Sequence, residues 1–180
     1  MPRYDVRTVH KTWVPAQPEA VFDALAELTG NEIRLLGPLE AIRLLPQRAR
    51  GRRGAPATSG PILEAYRRIG FVDLGGRPGA EVVLGAVGRF WSLYRNSPLR
   101  TIRSREDFLA FGEPGFAKAA MGFLVEPEGA GSRVVTETRV VGTDERATRL
   151  FRRYWFIIGW ASRAIRRSWL KALRRRLARA

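Results

Sequence analysis

The chain has 180 residues, of which 45% are hydrophobic and 27% charged, a composition typical of one globular domain and unlike that of a disordered chain. It contains no cysteine, which excludes disulfides, thiolate nucleophiles and thiolate metal sites. The formal net charge of +15 favours anionic partners but does not choose among nucleic acid, anionic lipid and acidic protein. Charges are interleaved with apolar residues from the first positions, which is unlike a secretory signal, so a cytoplasmic location is expected.

The first part of the chain predicts one strand and two short helices. Residues 4–14 are rich in β-branched and aromatic side chains and end before Pro15, which suits a strand. An amphipathic helix follows, with Pro18 in its first turn and Gly30 at its end. A second helical pattern spans 31–46 and is interrupted by a Gly-Pro pair.

Residues 47–60 contain four arginines among glycine, alanine, proline and serine. Such a segment buries too little apolar surface to order itself, so it predicts a mobile basic loop.

The remaining sequence predicts an antiparallel meander followed by a long helix. We interpret 62–74, 81–91, 108–111, 116–125 and 133–141 as strands, because they are apolar and separated by glycine- and proline-rich turns. Alternation places Ala117, Met121 and Phe123 on one face of their strand and Lys118 on the other. Asp144 is expected to cap a terminal helix over about 144–178, which carries a continuous apolar stripe. The predicted fold is α+β, a curved antiparallel sheet wrapped around this helix, in one domain spanning 1–180.

This order of elements resembles the Bet v 1/START-like (SRPBCC) superfamily with its helix-grip fold, in particular the bacterial polyketide cyclase/dehydrase-like members. The resemblance rests on the opening strand followed by Val14-Pro-Ala-Gln-Pro-Glu-Ala-Val-Phe-Asp-Ala-Leu, on Thr136-Glu-Thr-Arg-Val as the last strand, and on Asp144 at the start of the terminal helix. It implies an opening strand, two helices, a six-stranded meander and a long terminal helix, with an apolar cavity between the sheet and the terminal helix. Such a cavity holds a hydrophobic small molecule or lipid in that superfamily, whose members range from carriers to enzymes.

The side chains expected around this cavity are mainly aromatic. Tyr154 is the candidate polar group among them, because a buried hydroxyl needs a hydrogen-bond partner. Glu137 and Arg139 lie two residues apart and so share one face of their strand; there they would either orient an acidic ligand inside the cavity or form an ion pair in water. The full set of expected ligand-binding residues is Phe90, Trp91, Phe111, Met121, Phe123, Glu137, Arg139, Tyr154, Trp155 and Ile158.

No metal site or cofactor is expected. His10 is the only histidine and is interpreted as structural or exposed, and no nucleotide-binding or nucleophile motif is present.

The terminal helix is strongly basic. Twelve basic residues lie between Arg146 and Arg179, against acidic residues only at its start. Together with Trp160 and Trp169 this favours either a solvated outer face or adsorption to an anionic membrane surface. Nucleic acid is not the expected partner, since no nucleic-acid-binding motif accompanies the charge.

Three functions follow from these patterns. The leading hypothesis is binding of a hydrophobic small molecule or lipid in the cavity. The first alternative is a polyketide cyclase or dehydratase using Arg139, Glu137 and Tyr154, and the second is a module that binds a polyanion or a membrane surface. The sequence leaves catalysis and the oligomeric state open.

Overall fold

The computed structural model describes residues 1–33, 60–92 and 99–179. Within them the strands are β1 Val6–Val14, β2 Val72–Gly75, β3 Glu81–Gly88, β4 Ala117–Glu128 and β5 Gly131–Gly142. The helices are α1 Pro18–Glu27, α2 Ile62–Arg68, α3 Arg105–Ala110 and α4 Glu145–Leu177, and a 3₁₀ turn spans Gly30–Glu32.

The strands form one antiparallel sheet in the order β1-β5-β4-β3-β2. Strands β2 to β5 therefore form a meander, and β1 lies beside β5 as one edge strand of the sheet, with β2 as the other. The predicted α+β fold, with a long terminal helix against an antiparallel sheet, is confirmed.

The two faces of the sheet have different covers. One face packs against α4 and α1, and the alternation predicted for β4 is confirmed there, with Met121 and Phe123 buried under α4. The other face, which we call the far face, is covered near β2 and β3 by α3, whose Phe108 is fully buried. Both faces therefore carry apolar side chains.

Helix α4 is fixed to the rest of the protein at both ends. At its start the Asp144 carboxylate accepts hydrogen bonds from the backbone N–H groups of Ala147 and Gly115, the first of them 2.8 Å long. Near its end Arg176 forms ion pairs of 2.6 Å with Glu27 and 3.2 Å with Glu32. The N-cap predicted at Asp144 is confirmed.

Two of the six segments predicted as strands are wrong in whole or in part, and the described sheet has five strands. Residues 62–74 split into α2 and the short strand β2, because Gly70 ends the helix with a φ of 106°, in a region that glycine reaches easily. Residues 108–111 belong mostly to α3, because the Ser104 side chain accepts a 3.1 Å hydrogen bond from the Asp107 N–H and so caps a helix there.

The second helical pattern begins at the 3₁₀ turn, and the rest of it lies outside the described residues. The basic loop predicted at 47–60 also lies outside them, except for Gly60.

Candidate functional site

The contact between α4 and the sheet has apolar regions at both ends. Towards the C-terminus of α4, Trp169 is fully buried, and the centre of its ring lies 4.6 Å from that of Phe123 and 6.0 Å from that of Tyr66. Towards its N-terminus, Phe151 packs against Phe90 and Trp155.

Between these two apolar regions the sheet presents polar side chains, and we call this part of the contact the polar section. On β1 it contains Thr8 and His10, and on β5 it contains Thr138 and Thr136. The strand register places Thr8 opposite Thr138 and His10 opposite Thr136. On β4, Met121 lies opposite Thr138. The sheet thus offers hydroxyl and imidazole groups where an ordinary core would be apolar.

Helix α4 contributes Arg166 to the polar section. This residue is only 9% exposed, and its guanidinium donates a hydrogen bond to the sulfur of Met121. The guanidinium carbon lies 5.8 Å from the centre of the Phe123 ring and 5.2 Å from that of Trp169, both cation–π contacts. No carboxylate in the described part of the chain forms an ion pair with Arg166, and burial lowers its pKa.

Several buried polar atoms in the polar section have no hydrogen-bond partner among the described residues. They are Arg166 Nη1, Trp169 Nε1, His10 Nε2 and the hydroxyls of Thr8 and Thr136. Buried groups of this kind normally have a partner, and an unmet one costs about 1–3 kcal/mol. The cluster combines two N–H donors, Arg166 Nη1 and Trp169 Nε1, with two hydroxyls and an imidazole nitrogen that can also donate, and its one charge is positive, so it is suited to an anionic or hydrogen-bond-accepting group.

The pKa of the His10 imidazole is affected by the same positive charge. Its pKa is lowered, first by burial and then by the neighbouring charges of Arg167, Arg166 and Arg163. The neutral form of His10 is therefore favoured, and no acidic group in the described part of the chain counts among the charges that shift its pKa.

The helix side of the polar section combines large and small residues. Between Phe151 and Trp169, α4 carries the buried Gly159 and Ala161 and the half-buried Ser162. The same stretch also contributes the buried Arg166 and the half-buried Ile158 and Ile165.

The expected ligand-binding residues divide into three groups. Met121 and Phe123 contact Arg166 in the polar section. Phe90, Trp91, Tyr154 and Trp155 gather around Phe151 in the N-terminal apolar region, and Ile158 is half-buried between this region and the polar section.

The third group does not face α4. Phe111 packs edge-on against Phe116 on the far face, at 5.5 Å between ring centres. Glu137 and Arg139 also lie on the far face, where they form an ion pair of 2.7 Å. Their expected position in a cavity beside α4 is wrong, because alternation along β5 turns Thr136 and Thr138 towards the helix instead.

The ion pair of Glu137 and Arg139 makes further contacts on the far face. Glu137 also accepts a 2.5 Å hydrogen bond from Arg7. Burial raises the pKa of Glu137, but the hydrogen bonds from Arg139 and Arg7 outweigh burial, so the pKa is lowered. Glu137 and Arg139 line an open groove of about 230 Å³ with Met1, Glu81 and neighbouring small residues of β4. Tyr154 lies across the sheet from this pair, so the three residues assigned to a cyclase do not converge on one substrate.

Arg166 and the threonines Thr8 and Thr136 were not predicted as site residues from the sequence. A signal was present, because Arg166 precedes Trp169 by three residues and Leu173 by seven and so belongs to the buried stripe of α4. Within residues 1–33, 60–92 and 99–179, no group of three histidine or acidic side chains is arranged to hold a metal ion.

Within the described ranges no helix combines the length and the apolarity needed to cross a membrane. The comparisons with known proteins give no family: no family model matches the chain, and no curated protein matches it. Among solved structures, a crystal structure of TTHA0849 from Thermus thermophilus shows 16% sequence identity and a TM-score of 0.35, over 97% of this chain and 99% of that one. A likeness at this level carries no argument about function.

Proposed function

We propose that the protein binds a hydrophobic small molecule or lipid that carries an acidic group, and that the ligand lies between the sheet and α4. The observation that carries the proposal is the buried guanidinium of Arg166, which has no acidic partner among the described residues. A buried charge is strongly unfavourable unless it is paired, so this position is best explained by a counter-charge that arrives with the ligand.

The chemistry of the polar section favours a carboxylate or phosphate head group. A guanidinium presents two parallel N–H donors that match the oxygens of such a group. His10, Thr8 and Thr136 add further groups able to hydrogen-bond the same head. The interaction would be strong here because burial lowers the local dielectric constant.

The neighbouring apolar regions supply the contacts for the rest of the ligand. Phe123, Trp169 and Met121 surround Arg166, and the aromatic residues around Phe151 lie further along the same helix, towards its N-terminus. A chain or ring system extending along α4 from Arg166 would therefore meet aromatic and thioether surfaces. The proposal includes membership of the START-like superfamily, for which the order of strands and helices is the support.

The test begins with native mass spectrometry of the purified protein, followed by organic extraction and identification of what is released. The delipidated protein is then titrated with dodecanoate and with dodecanol, which share an alkyl chain and differ in the acidic head. Because His10 is the only histidine, its imidazole signals in a proton NMR spectrum report directly on the polar section. Arg166→Met removes the guanidinium, and Arg167→Met is the matched control on the exposed side of the same turn.

We expect a stoichiometric acidic adduct, tighter binding of dodecanoate than of dodecanol, and a rise in the pKa of His10 when dodecanoate binds. Arg166→Met should abolish the preference for the acid, whereas Arg167→Met should keep it. A protein that carries no adduct and binds neither probe would overturn the proposal, and so would equal binding of both probes by the unmodified chain.

A further inference from the structure

The outward side of α4 carries large apolar side chains in water. Phe156 is 90% exposed, Ile157 64% and Trp160 61%, and we call these three residues the apolar patch. They lie within about one helical turn of each other and so form one continuous surface. The most exposed residues of an ordinary packed helix are polar, so this patch needs a separate explanation.

Arginines flank the apolar patch on both sides along the helix. They stand three, four or seven residues away from patch residues and so share its face of α4. We call these five exposed residues the arginine flanks: Arg149, Arg152, Arg153, Arg163 and Arg167.

The arginine flanks are little compensated by acidic groups. Arg149 lies 3.5 Å from Glu145 and Arg152 lies 3.6 Å from Asp5, both as exposed ion pairs. For Arg153, Arg163 and Arg167 the described part of the chain supplies no ion pair, and Glu145 is the only acidic residue of the helix. The face therefore combines an apolar centre with a net positive surround.

We infer that this face of α4 docks on an anionic lipid bilayer, with the apolar patch inserted among the acyl chains and the arginine flanks on the lipid head groups. Interfacial helices have this arrangement, in which basic side chains hold the head groups while aromatic and aliphatic ones enter the boundary with the hydrocarbon. The positive charge of the arginine flanks is complementary to the negative charge of anionic lipid head groups.

Two other occupants fit the face less well. In a symmetric dimer the same patch of both copies would meet, which would bring the arginine flanks of one copy against those of the other. A nucleic acid would neutralise the arginines through its phosphates but would offer no apolar partner to the aliphatic side chain of Ile157.

The inference is tested by partitioning the protein between buffer and vesicles. One set of vesicles consists of phosphatidylcholine alone, and the other of equal parts phosphatidylcholine and phosphatidylglycerol. The variants are Phe156→Ser with Trp160→Ser for the patch and Arg153→Gln with Arg163→Gln for the flanks. The matched controls are Leu109→Ser, an exposed apolar residue of α3, and Arg103→Gln, an exposed arginine before α3.

We expect binding to the anionic vesicles that weakens with salt and is absent on phosphatidylcholine alone. Each arginine removed should lower the partition coefficient about fivefold, since a cation near an anionic surface contributes about that factor. The patch variant should lose binding by about tenfold or more. The controls should match the unmodified chain, and circular dichroism should show the same helix content in every variant. Quenching by brominated lipid should also be weaker for Trp160→Phe than for the unmodified chain.

Four results would overturn the inference. They are the absence of vesicle binding, vesicle binding that the patch variant retains in full, a dimer that the patch variant dissolves, and binding to duplex DNA or RNA in place of vesicles. Arg166→Met should leave vesicle partitioning unchanged, because Arg166 is buried on the other side of α4. Failure of this inference and failure of the proposed ligand site are therefore distinguishable.

Discussion

Replacing Arg166 by methionine should make the ligand-free protein more stable while removing its acid-binding group. Most substitutions of a buried residue destabilise a protein. Arg166 should be an exception because its charge is buried without a carboxylate among the described residues, and its only described hydrogen bond goes to the weak acceptor of Met121. Methionine is unbranched and flexible, so it can follow the path of the arginine stem between Phe123 and Trp169.

The change in the free energy of unfolding is the sum of three contributions, of which the first and third stabilise the variant and the second destabilises it. Removing the guanidinium relieves an effective desolvation penalty of several kcal/mol. It also removes cation–π contacts with Phe123 and Trp169, each contributing up to about 2 kcal/mol when desolvated. Burying the thioether adds about 1–2 kcal/mol. The free energy of unfolding should therefore rise by about 1–3 kcal/mol, and Tm by about 2–12 °C for a domain of this length.

The measurement is urea and thermal unfolding of the delipidated protein, followed by tryptophan fluorescence and circular dichroism. Arg167→Met serves as the control and should change the free energy of unfolding by less than about 0.5 kcal/mol, because Arg167 is exposed. The reasoning would be refuted if Arg166→Met were less stable than the unmodified chain, since the guanidinium would then be satisfied by the protein itself.

Three further predictions concern stability. The lowered pKa of His10 means that the unfolded chain binds its proton more readily, so the free energy of unfolding should fall as pH drops from 7 through the ordinary value of 6.5, and urea unfolding of His10→Asn should lack this part of the slope. A Cβ at Gly131 would lie 2.3 Å from the Val14 carbonyl oxygen, so Gly131→Ala should lose about 1–3 kcal/mol. The control Gly112→Ala, whose nearest contact would be 3.9 Å away, should be unaffected in the same urea titration. Trp169→Ala should lose about 3–5 kcal/mol in thermal unfolding because it empties a fully buried indole site; a loss below about 1 kcal/mol would contradict the packing described for it.

The sequence predicted most of the sheet because its strands alternate and are separated by glycine-rich turns. The pattern of β4 is clear, since every second residue from Ala117 to Val125 is apolar and faces α4. The failures occurred where a short segment shows no clear period. In 62–74 charged residues occur both in the seven-residue helix and in the strand that follows it, so composition does not separate the two and only Gly70 marks the boundary.

The candidate site was much less predictable than the fold. Strand alternation shows that Glu137 and Arg139 share a face, but it cannot show which face meets the helix, because the far face also carries apolar residues under α3. Arg166 was missed for a related reason. In a helix with eleven basic residues a basic residue is normally assigned to the solvent side, and only its spacing from Trp169 and Leu173 places it inside.

The fixation of α4 at both ends limits how the helix can move. A swing of the whole helix away from the sheet would break the cap at Asp144 or the ion pairs of Arg176. Gly159 lies in the middle turns, where a glycine lowers the resistance of a helix to bending. For the ligand proposed above to enter beside α4, a flexing of this middle stretch against the edge strand β1 would be sufficient. Backbone amides there should exchange with deuterium faster than those at either end of the helix, because local opening needs less free energy than release of an anchored terminus.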